Sequence, residues 1–221
     1  MDWQALEVSL RLGALTVLIL APIAIAVARW LAFRRFAARP LIEAMLALPL
    51  VLPPTVLGYY LLVALGGNSP IGGGWRALFG HSLVFSFEAL LIGSLIVNLP
   101  FAIQPMQRSF QAIPADIREA AMVSGFAPWR LLWRIDLPLA WPGIVTGLVL
   151  TFAHTLGEFG VVLMLGGSIP GQTRTIAVAI YDRVQAFDMG GAGAMAALLL
   201  GLSLAALAIV YSLSNRVARR D

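Results

Sequence analysis

Five runs of mostly apolar residues, spanning 10–28, 44–65, 83–103, 139–165 and 192–213, set the terms for this chain. A helix rising ~1.5 Å per residue needs about 20 such residues to cross ~30 Å of hydrocarbon. Each run meets that length or comes close to it. Composition agrees: 60% of the 221 residues are hydrophobic, 12% are charged, and the mean hydropathy is +0.88. Soluble domains carry about 45–50% apolar and about 25% charged residues. A soluble fold of this length has no means of hiding so much apolar surface from water. The expectation is an all-α integral membrane protein, one transmembrane domain over residues 1–221 with about five transmembrane helices and the lipid bilayer as solvent.

A formal charge of +4 and a sequence pI near 10.3 raise nucleic acid as a partner. The placement of the charge excludes it. All fifteen basic residues are arginine, and eleven of them follow the first, third and fifth runs: Arg29, Arg34, Arg35, Arg39; Arg108, Arg118, Arg130, Arg134; Arg216, Arg219, Arg220. The other side of the runs has Arg11, Arg76, Arg174 and Arg183. By the positive-inside rule the Arg-rich loops and the C-terminus are cytoplasmic and the N-terminus is outside, which suits an odd number of spans. The first run is read as an uncleaved anchor, because Asp2 and Glu7 precede it where a signal peptide has basic residues. Cysteine is absent, which removes disulfides, thiolate metal sites and cysteine nucleophiles.

Two loops fall on the Arg-poor side. Gly66 to Gly80, with Gly72-Gly73-Gly74, reads as a flexible turn. Thr173 to Phe187 places Ile176, Ala179, Ile180 and Val184 on one helical face, with Asp182 and Arg183 off it. It is expected to form a short amphipathic helix outside the membrane rather than a sixth span.

The Arg-rich loop over residues 111–138 is the informative one. Its residues 113–138 read IPADIREAAMVSGFAPWRLLWRIDLP. This pattern predicts two short helices with a sharp turn between them. Pro114 and Pro128 suit first turns, and Gly125 supplies a positive φ to end the first helix. Ala120 and Ala121 leave room for another surface to approach. Trp129, Leu132 and Trp133 make the second helix apolar on one side, with Phe126 just ahead of it, and Pro138 marks the start of the fourth span. An apolar knob ringed by arginine suits protein docking, since Trp and Arg are enriched at binding hot spots. Anchoring of the tryptophans among lipid headgroups suits the same residues equally well.

The spacing Glu119-Ala120-Ala121, Gly125, Ile135, Leu137, Pro138 resembles the cytoplasmic signature loop of bacterial ATP-binding-cassette importer permeases of the type I architecture. The resemblance implies that the loop is the coupling helix seated in a cleft of a separate ATPase subunit. Residues 48–59, LPLVLPPTVLGY, resemble the second core span of molybdate permeases. Residues 152–160, FAHTLGEFG, with Gly166-Gly167 and residues 170–175, PGQTRT, resemble their fourth span and following loop. Sulfate and tungstate permeases share the Leu-Gly-Glu-Phe-Gly core, while His154-Thr155 leans towards molybdate. The family implies two permease copies with two cytoplasmic ATPase copies, an external oxyanion-binding protein and residence in the cell inner membrane.

The chain has no lysine, so the phosphate-binding loop of an ATPase is missing, and ATP hydrolysis is assigned to the partner. It is expected to be a permease subunit rather than an enzyme, with no cofactor and no metal. Pro53, Pro54, Thr55, His154, Thr155 and Glu158 are the pathway or gate candidates. Prolines 49, 53 and 54 interrupt backbone bonding in the second span, which suits either a pathway lining or a packed kink. His154 and Glu158 lie four apart, and a carboxylate within the bilayer is a functional candidate by default. Facing the pore it would repel an anion, which favours a structural or gating role. The alternatives are sulfate or tungstate as cargo in the same machine, a stand-alone secondary transporter, and a membrane enzyme or proton relay built on His154 and Glu158.

Overall fold

The computed structural model describes residues 1–217. Arg219 and Arg220, the end of the expected basic tail, lie outside the described residues. The elements are α1 (Trp3–Phe33), α2 (Arg39–Val51), α3 (Pro54–Leu65), α4 (Pro70–Phe79), α5 (Phe87–Gln111), α6 (Ala115–Val123) and α7 (Pro128–Leu131). A π-helical turn (Leu132–Asp136) then leads into α8 (Leu137–Gly157), α9 (Gly160–Gly166), α10 (Ile176–Gln185) and α11 (Met189–Val217). Among the described residues four helices are long and apolar enough to cross a membrane: α1, α5, α11 and the run Pro128–Gly157. The bent pair α2–α3 makes a fifth if read as one span.

Helix α5 is the axis, packing against α1, α8, α9 and α2. One apolar core gathers Leu20, Ala24, Leu31, Met106, Phe110 and Ile144 towards the Arg-rich end. A second gathers Leu12, Leu83, Leu90, Val161, Leu165 and Val178 towards the other. Between them a buried polar layer ties α1, α5 and α8. Thr16 donates to Ser94 Oγ at 2.9 Å, and Asn98 Nδ2 donates to Ser94 O at 2.8 Å and to Thr155 Oγ1 at 3.1 Å. Thr155 Oγ1 in turn donates to Thr151 O at 2.8 Å. Helices α5 and α8 approach closely because Gly143 and Gly147 are spaced four apart on α8. A Cβ on the first would sit 2.6 Å from Pro105 O, and one on the second 2.7 Å from Ala102 O. Small residues at that spacing let backbones meet where lipid supplies no hydrophobic drive.

Several sequence expectations change. The second run is not one straight span: α2 and α3 meet at 109°, with Leu52 and Pro53 extended between them. A proline disfavours helix in the residue before it, and here two prolines follow Leu52 in succession. The third helix continues to Gln111 because polar residues at the Arg-rich end extend it beyond the hydropathy signal. The fourth helix stops at Gly157, with Glu158 extended at φ −65°, ψ 128°. It also starts earlier than Pro138. Leu137 N bonds back to Leu132 O in the π turn, so the helix runs on from Pro128 past the proline. Gly66 to Gly80 is not a flexible turn but contains α4. Ser69 accepts from Gly72 N at 2.9 Å, Pro70 opens the helix, and Gly80 closes it in the left-handed region. Helix α10 forms inside the expected 173–187 segment, capped by Thr175 and burying Ile176, Val178 and Ala179.

Gly147→Leu should therefore lower the unfolding midpoint of the purified protein in detergent, since overpacking a filled contact costs about 1–3 kcal/mol. Gly201→Leu on the exposed α11, where a Cβ would have open space, should leave the midpoint near wild type. Equal midpoints for the two variants would contradict the tight α5–α8 contact.

Candidate functional site

The signature loop is built as two helices joined by a left-handed glycine. Helix α6 carries Glu119 and Ala120 on its exposed side and Ala121 on its buried side. Gly125 has φ +79°, and Gly125 N and Phe126 N bond back to Met122 O and Ala121 O, both at 3.0 Å. That is the glycine-closed helix end the sequence implies. Pro128 opens α7, whose Leu131 is buried while Trp129 and, beyond it, Trp133 are 62% and 65% exposed. Ile135 and Leu137 are half-buried and Pro138 is exposed. Met122, Val123, Trp129 and Trp133 thus present large apolar surface at the Arg-rich end.

The residue beneath this loop was not among the sequence candidates. Asp136, the unspecified position between Ile135 and Leu137, is fully buried. Arg29 Nε donates to its Oδ2 at 2.7 Å and Arg118 Nε to its Oδ1 at 2.9 Å. The Arg118 guanidinium also lies 3.4 Å from the centre of the Phe33 ring. A cavity of about 870 Å³ opens beside the cluster, lined by Trp30, Phe33, Phe126, Leu132 and Trp133 among others. The sequence signal was a lone carboxylate within an apolar stretch, which demands a partner. Which of the arginines would supply it was not legible.

The pathway candidates divide into three groups. Pro54, His154 and Glu158 line a common cavity of about 180 Å³ at the α2–α3 bend, with Pro49, Leu52 and Phe101. His154 stacks on Phe101 with centroids 4.0 Å apart, and its Nε2 lies 3.9 Å from Glu158 Oε2. Glu158 stands just beyond α8 rather than within it, and its Oε1 accepts from Val161 N at 3.1 Å. The carboxylate caps the start of α9, where amide groups lack helical partners. Thr155 belongs instead to the polar layer between α1, α5 and α8. Pro53 and Thr55 are exposed and do not line the cavity. At the opposite end, Arg174 fixes the loop after α9, donating to Ser168 Oγ at 2.9 Å and lying 3.5 Å from Asp182 and 3.7 Å from Asp2. Among the described residues no group of three or more His, Asp or Glu side chains gathers to hold a metal ion.

Comparison with known proteins covers nearly the whole chain. Residues 19–219 match the family described as binding-protein-dependent transport system inner membrane component. The molybdenum transport system permease protein ModB of Azotobacter vinelandii is 43% identical over 96% of this chain and 93% of its own. ModB of Escherichia coli K12 is 36% identical over 96% and 92%. The sulfate transport system permease CysT of the same strain is 31% identical over 86% and 69%. A crystal structure of a bacterial ABC transporter that imports alginate superposes with a TM-score of 0.73 at 20% identity, covering 98% of this chain and 78% of that one.

If Glu158 acts as a cap, Glu158→Ala should lower thermal stability in detergent by about 1 kcal/mol. Glu158→Gln, which keeps an acceptor oxygen, should retain most of it. Equal losses in both would show that the charge, not the cap, is what the site needs.

Proposed function

This chain belongs to the family of binding-protein-dependent transport system inner membrane components, and on that footing we propose that it is the permease subunit of a molybdate importer. The observation that carries the cargo is identity of 43% and 36% to molybdenum permeases across nearly the full chain, against 31% over a smaller share for a sulfate permease. The protein resides in the inner membrane.

In this reading the Arg-rich end faces the cytoplasm. The α6–α7 face seats against a separate ATPase subunit, for which the exposed Trp129 and Trp133 and the Glu119-Ala120 edge are the contact, with Ala121 buried behind it. The absence of lysine denies the chain a phosphate-binding loop of its own, which supports a separate source of ATP hydrolysis. An external binding protein delivers the oxyanion; one structure of the alginate transporter is a complex with its periplasmic protein. Two copies of the chain enclose the pathway. The bend at Pro53 and Pro54, where Pro54 shares a cavity with His154 and Glu158, is the part of the pathway wall suited to gating. A hinge of two extended residues between rigid helices absorbs a rotation locally.

Membrane vesicles holding the chain with its ATPase and binding protein should take up labelled molybdate in an ATP-dependent manner that excess sulfate does not suppress. Gly125→Val should cut that uptake roughly 5- to 30-fold, because a β-branched residue in the left-handed region costs about 1–2 kcal/mol. Uptake of sulfate with the same ATP dependence would change the cargo and keep the machine. Uptake indifferent to ATP would refute the importer.

A further inference from the structure

Helix α6 carries the signature residues, yet its hold on the bundle is slight. Ala121 is its one buried residue, and among the described residues its main packing, itself slight, is against α7. Apart from α7, which runs on into α8, what ties it to the spanning helices is Arg118. That side chain bonds Asp136 at 2.9 Å and covers the ring of Phe33, the last residue of α1. Asp136 ends the π turn that feeds α8, and it also receives Arg29 from α1 at 2.7 Å. One buried carboxylate therefore meets the loop helix, the first span and the helix that becomes the fourth.

Packing shows what this cluster adds. Helices α1 and α8 already share an apolar core through Leu20, Ala24, Ala140 and Ile144, so they do not need an ion pair to stay together. Helix α6 has no comparable core. A carboxylate removed from water is tolerated where both oxygens are met by guanidinium groups, and taking it away leaves two buried or half-buried cations face to face. Such a cluster is stiff in the direction that joins its members. Movement of α6 is then passed to α1 and α8 together instead of being lost in a loose loop.

We infer that the Arg118–Asp136–Arg29 cluster is the mechanical tether that passes movement of the docked α6 to α1 and α8, and so sets how tightly ATP hydrolysis is coupled to transport. This rests on the importer reading above. Asp136 and Arg118 are positioning residues that act through α6.

The test uses the complete complex in vesicles, with ATP hydrolysis and uptake of labelled molybdate measured in one preparation. Asp136→Asn keeps the shape of the side chain and removes its charge. The ATP hydrolysed per molybdate taken up should rise about five-fold or more, within the usual range of coupling between sites. Arg118→Gln, which removes one of the two partners of Asp136, should raise the ratio in the same direction, and the double variant should be no worse than Asp136→Asn alone, which already breaks that contact. Should Asp136→Asn fail to accumulate in the membrane, Arg118→Gln carries the same expectation. A wild-type ratio in the variants, or uptake and hydrolysis falling in proportion, would overturn the tether alone. A wild-type complex without ATP-dependent molybdate uptake would overturn the importer reading and the tether together.

Discussion

Within hydrocarbon no water is present to bond a free amide or carbonyl, and the chain's irregular points can be understood from that constraint. Where α8 stops, the Glu158 carboxylate takes Val161 N. Where α2 ends, Leu52 N still reaches Leu48 O before Pro53 and Pro54, neither with an N–H to satisfy, turn the chain. After α9, Thr173 Oγ1 donates to Gly166 O at 2.6 Å and accepts from Ile169 N at 3.1 Å. Before α8, the π turn carries the backbone ladder through to Leu137, ahead of Pro138. Each break is thereby closed locally, and a break so closed is a place where the chain can bend without exposing unbonded backbone.

The same constraint explains what was legible beforehand. Hydropathy alone marks where helices must be, because apolar length is a direct requirement of the bilayer. Helix ends are another matter, since they depend on single side chains: Ser69 capping α4 and Glu158 capping α9. A glycine-rich stretch such as Gly66 to Gly80 reads as flexible until the cap and the packing of Trp75 against Phe79, 4.2 Å between centroids, are seen. In the signature loop the turn at Gly125 and the exposed tryptophans followed from local chemistry and were readable. The pairing of Asp136 with Arg29 and Arg118 was not, because it spans 107 residues in one case and 18 in the other. Nor was the separation of Thr155 from His154 and Glu158, which depends on which neighbour each face of α8 meets.

The two ends of the molecule are organised differently. The Arg-rich end presents apolar side chains over a buried ionic cluster. The other end closes its loops with polar side chains, Arg174 against Ser168, Asp182 and Asp2. Between them the polar layer of Thr16, Ser94, Asn98 and Thr155 fixes the register of three helices without holding an ionised group.

The most direct test of the importer reading is the accessibility of a single thiol, which the cysteine-free chain makes unambiguous. Val123, 89% exposed at the end of α6, is the position to replace by cysteine. A membrane-impermeant maleimide should leave this thiol untouched in intact cells, label it in inverted vesicles stripped of the ATPase, and be blocked when the purified ATPase subunit is added back. Labelling from the outside of intact cells, or labelling that the ATPase does not impede, would contradict it.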